Sequence, residues 1–107
     1  VTAETVYDEQ IAPLLLQAAK LCHEHGMPFV AQVEYQPGDF GMTADLPARE
    51  QRSLPMDWMY VAGNCRGNAD SMIGHLVDGA RERGHTSVYL SMLGIPATYP
   101  EATDHDR

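Results

Sequence analysis

From Trp58 to Ala80 the apolar residues keep helical spacing without losing phase, through Ala62, Cys65, Ala69, Met72, Ile73, Leu76 and Val77. Read as one helix over 54–83, the segment would run about 45 Å. A compact chain of 107 residues has a radius of gyration of about 13 Å. Such a helix would project well beyond its own core, so the pattern has to break. Gly63-Asn64-Cys65-Arg66-Gly67-Asn68 supplies the place, with two glycines and, in Asn68, a residue suited to capping a new helix. The spacing predicts helices over about 55–63 and 68–83. The first opens after Ser53 with Pro55 in its first turn, and the second closes at Gly84.

A third helix is expected upstream. Ile11, Leu14, Leu15, Ala18, Leu21, Cys22 and His25 form an amphipathic stripe. Thr5 or Asp8 can cap its start, and Gly26 followed by Pro28 ends it. Pro13 fits the first turn if the helix begins near residue 10 and otherwise makes a kink. Leu16 falls off the stripe, on an outer face with Lys20 and His23. Residues 1–7 read as a loose end, the ordered core as 8–95, and 97–107 as a flexible tail after Pro96.

Phe29, Ala31, Val33 and Tyr35 alternate with Val30, Gln32 and Glu34, which predicts a half-buried strand. Pro37-Gly38-Asp39 is a turn signal, and Phe40, Met42, Ala44 and Leu46 predict the returning strand. Residues 47–55 read as a polar loop carrying Arg49 and Arg52. Val88, Leu90 and Met92 alternate with Ser87, Tyr89 and Ser91, which predicts a third strand. The order is α-β-β-α-α-β. It implies a single α+β domain over 1–107, with a small mixed sheet of about three strands in a two-layer arrangement and helices on one face.

Fifteen acids against seven bases give a net charge of −8. Phosphate repulsion argues against nucleic acid, with Arg49, Arg52, Arg66, Arg81 and Arg83 the only local basic resource. No stretch nears 18 consecutive apolar residues, so no membrane span is expected. Residues 1–10 carry Glu4, Asp8 and Glu9 and no basic region, so no signal peptide is expected. Two cysteines are too few for a disulfide framework, and a reducing, cytoplasmic setting follows.

Two local constellations carry chemistry. At Cys65-Arg66-Gly67-Asn68, a helix beginning at 68 would aim free N–H groups at an anion beside Arg66, with Cys65 as a nucleophile. Against this, Cys65 lies on the apolar stripe, where a thiol usually packs, and the sixth residue after it is Ser71 rather than arginine. Cys22 and His25 share a helical face and could chelate a metal in a regulator. The plainer reading is that His23 and His25 complement the helix dipole. No cofactor is implied.

The composite expectation is a small acidic protein-interaction module rather than an enzyme. Small accessory and inhibitor proteins, phage-encoded ones among them, share this size and charge. Open strand edges, together with Leu16, Met56, Trp58, Met59 and Tyr89, predict apolar contact with another protein and a symmetric homodimer.

Overall fold

The computed structural model of the chain describes residues 1–97. The chain is α+β and divides into two compact units, Val1–Asn64 and Cys65–Arg107. Most of the expected tail, from residue 98 onward, lies outside the described residues.

The first unit begins earlier than the stripe predicts. Helix α1 spans Ala3–Val6 and is capped by Thr2, whose hydroxyl accepts from the Thr5 N–H at 3.1 Å. The helical path continues through a π-turn at Tyr7–Ile11 into α2, Ala12–Glu24. Pro13 has no N–H and its ring crowds the carbonyl one turn back. The wider π-turn lies in that same turn, where the Ala12 N–H reaches the Tyr7 carbonyl. Tyr7, at the inner end of residues 1–7, is one of the buried side chains. At the other end Gly26 takes φ +71°. The Met27 N–H returns to the Cys22 carbonyl at 2.8 Å and the Gly26 N–H to the His23 carbonyl at 3.1 Å. This pair of bonds is a Schellman stop, at the glycine the sequence marks for it.

Strands β1, Phe29–Gln36, and β2, Asp39–Asp45, form a two-stranded antiparallel sheet. Gln36 pairs with Asp39, which leaves Pro37 and Gly38 (φ +84°) as the corner. The register pairs Val33 with Gly41 and Gln32 with Met42. Directly opposed residues share a face, so the apolar sets of the two strands lie on opposite faces. The β1 set (Phe29, Ala31, Val33) faces the side on which Tyr7 covers Gly41, where α1 and α2 pack. The β2 set (Phe40, Met42, Ala44) faces the other side, where Met42 meets Gly63 of helix α3, Leu54–Cys65. The hairpin thus has helices on both faces, not on one as expected.

Helix α3 is preceded by a 3₁₀ turn at Arg49–Gln51 inside the expected loop. Its inward residues are Asp57 and Val61. Trp58 and Ala62, on the predicted stripe, are exposed.

In the second unit, α4 spans Ala69–Arg83. Asn68 caps it, its side-chain oxygen accepting from the Ser71 N–H at 2.9 Å, and Gly84 ends it with φ +79°. Arg66 and Gly67 turn the chain with φ +54° and +80°. The expected third strand is instead a helix, α5, Val88–Met92. Ser87 caps it through the Leu90 N–H at 3.0 Å, and Gly94 (φ +88°) closes it with a second Schellman pair, Ile95 N–H to Leu90 and Gly94 N–H to Ser91. No mixed sheet forms among the described residues.

Candidate functional site

The side of α2 turned away from the sheet carries exposed apolar residues. Ala19 is buried, with Leu15 and Cys22 half-buried beside it. The helix is therefore rotated from its predicted phase. Leu14 and Leu21 stand in solvent at one-heptad spacing, His25 follows one turn beyond Leu21 on the same face, and Met27 comes next, also exposed. Nine acids against three bases give this unit a charge of −6. An apolar strip on a strongly acidic body results.

Leu16, Lys20 and His23 are exposed and lie together. These three line an open groove between α2 and the end of β2, opposite Thr43, Ala44 and Asp45. His23 Nδ1 and Asp45 Oδ2 are 2.8 Å apart. Both side chains remain accessible, so the pair ties α2 to β2 at a cost and gain near balance. Sequence spacing gave no hint of it, since 22 positions separate the partners.

A second cluster absent from the sequence reading surrounds Asp57, which is 2 % exposed. Arg52 Nη1 donates to Oδ1 at 3.2 Å, and Arg49 Nε approaches Oδ2 at 3.8 Å. Arg52 also donates from Nε to the Pro47 carbonyl at 2.9 Å, and its guanidinium lies 4.9 Å from the centre of the Tyr60 ring. Two of the five arginines that make up the local basic resource, Arg49 and Arg52, are thus engaged in pinning the loop onto α3.

Met56 is half-buried, whereas Trp58 and Met59 are exposed. Cys65 ends α3 and its thiol donates to Ser71 Oγ at 3.5 Å. Arg66 projects from the left-handed turn, and the Asn68 side chain occupies one of the N–H groups an anion would use. Cys22 is half-buried and His25 exposed. Among the described residues no three His, Cys, Asp or Glu side chains gather as a metal set. No described helix is long and apolar enough to cross a membrane.

Tyr89 lies in the most exposed apolar segment of the second unit. Val88, Tyr89 and Met92 of α5 are 75, 74 and 75 % exposed, and Leu93 follows at 65 %. His85 fixes this segment. Its Nδ1 accepts from the Ser87 N–H at 2.9 Å, and its Nε2 lies 2.9 Å from the Ile95 carbonyl. An Nδ1 that accepts requires the proton on Nε2, which then donates to Ile95. One neutral ring therefore ties the residue before α5 to the residue after its closing glycine.

Comparison with family models, with curated proteins and with solved structures finds no match to the chain.

Proposed function

We propose that this chain is a cytoplasmic protein-interaction module of the accessory or inhibitor type, acting by occupying another protein's surface rather than by turnover. The observation that carries the reading is the Leu14–Leu21 strip of α2, exposed on a unit of charge −6. Leu14, Ala18 and Leu21 follow i, i+4, i+7, the spacing with which a helix anchors in an apolar groove. The surrounding acids favour a groove with a basic rim and would speed its encounter. Both thiols are free, which suits a reducing compartment.

The test is affinity capture from the source cell with the wild-type chain, with Leu14→Glu/Leu21→Glu, and with Lys20→Glu. Lys20 lies off the strip, so the last variant controls for added negative charge. Stoichiometric capture of one protein by the wild type and by Lys20→Glu, lost in the double variant, is the expected result. Equal capture by all three would overturn the reading.

A further inference from the structure

We infer that the apolar face of α5 is a homodimer interface, in which Val88, Tyr89, Met92 and Leu93 pack against the same residues of a second copy across a two-fold axis. Those side chains are 65–75 % exposed although they form one continuous turn of helix. Together they offer about 500 Å² of surface, a patch as large as the largest on a typical monomer. Two copies face to face would remove about 1,000 Å² from water, the lower bound for a specific association.

Charge selects the occupant. From Thr86 to Ala97 there is no charged residue, so nothing on this face could pair with the ionic rim of a chosen foreign partner. A second copy needs no such rim. The rest of the described second unit is balanced as well, with Asp70, Asp78 and Glu82 against Arg66, Arg81 and Arg83. Association through the first unit would instead oppose two bodies of charge −6. Shape agrees with a two-fold contact. Val88 and Met92 are one turn apart on one line of the helix, so an antiparallel mate sets Val88 against the partner's Met92 at both ends. The flexible thioether fills what the smaller valine leaves. The route differs from the strand-edge pairing expected from the sequence, because no strand exists here to pair.

Sedimentation velocity between 5 and 500 μM measures the association. At this minimal area the dissociation constant should be on the order of 10 μM, with a limiting mass about twice 11.8 kDa. Tyr89→Lys and Met92→Lys each appear twice in a two-fold contact, and each should weaken the dimer at least about 30-fold. Both positions are open in the single chain, so the variants should fold, which far-UV circular dichroism verifies. The inference fails if the wild type stays monomeric at 500 μM, or if its dimer survives both lysines. Leu14→Glu/Leu21→Glu should leave the dimer intact. Loss of the dimer in that variant would move the interface to α2 and refute the assignment to α5. Capture of a foreign protein is not measured here, so this inference and the α2 reading stand or fall separately.

Discussion

Asp57→Ala removes the carboxylate on which the loop and α3 converge. Asp57 is 2 % exposed, and the Arg52 and Arg49 side chains retain 17 and 33 % of their surface. Deleting one partner of a fully buried pair costs about 3–5 kcal/mol, because the remaining charge is left in a poor solvent. Here both arginine side chains keep part of their surface in solvent, which relieves part of that. The Arg52 bond at 3.2 Å and its desolvated remainder set the loss at about 2–3 kcal/mol. The single tryptophan, Trp58, is the next residue and reports the transition by fluorescence. For a chain of this size the urea midpoint should fall by about 2 M with little change in slope. Asp57→Ala with Arg52→Ala should cost less than the two single changes together, with a coupling of about 1–2 kcal/mol. Glu50→Ala, an exposed acid on the same loop, should change stability by less than about 0.5 kcal/mol. A coupling below about 0.3 kcal/mol would show that Asp57 and Arg52 do not share a buried pair.

Gly41→Ala and Gly63→Ala should differ in sign. A Cβ at 41 overlaps the Tyr7 ring, which is held by stacking on Tyr35 at 5.3 Å, and overpacking there should cost about 1–3 kcal/mol. At 63 the obstacle is the mobile end of Met42, so helix propensity decides and the variant should gain up to about 1 kcal/mol in urea denaturation. His85→Ala removes the tie between Ser87 and Ile95 and should cost about 1–2 kcal/mol. It should also raise hydrogen exchange across 87–95 while α2 amides stay protected. Tyr35 should ionise above the ordinary tyrosine range in absorbance at 295 nm. Packing raises its pKa above 10.0, with Glu4, Asp39, Asp8 and Tyr7 adding to the shift. The folded state then holds this proton more tightly than the unfolded chain does, so stability is full below pH 10.0 and falls as pH rises through the folded pKa. Tyr35→Phe should remove that delayed step from the titration.

Local stop and start signals were more legible than helical phase. Gly26, Gly38, Gly84 and Asn68 take the roles their chemistry assigns, because a positive φ or a side-chain cap is decided within four residues. The same grammar was present at α5, in Ser87 three positions before Leu90 and in Gly94 closing onto Ile95. The alternation of Val88, Leu90 and Met92 masked it. Alternation is a strand signal only where one face is covered, and here Val88, Tyr89 and Met92 are all exposed. The α5 face was legible only through Tyr89, and the α2 strip entered the sequence reading as core.

The rotations of α2 and α3 have a common cause. Hydropathy turns the richest apolar stripe inward, which for α3 selects Trp58 and Ala62 and for α2 selects Leu14 and Leu21. The observed inward positions are Asp57 with Val61, and Ala19 with the His23–Asp45 pair at its edge. In each case a polar side chain meets a partner contributed by another element. A period count sees one helix at a time and scores that side chain as solvent-seeking. The sheet register is opaque for the same reason, because Val33 can face a glycine only if Tyr7 fills the gap above it. What the stripe surrendered by these rotations is what the surface gained. Leu14 and Leu21 are exposed because α2 presents Ala19 to the sheet, the small residue that allows a close approach. Ala19→Leu should therefore push α2 off the hairpin, lengthening the His23–Asp45 contact and lowering stability by about 1–3 kcal/mol.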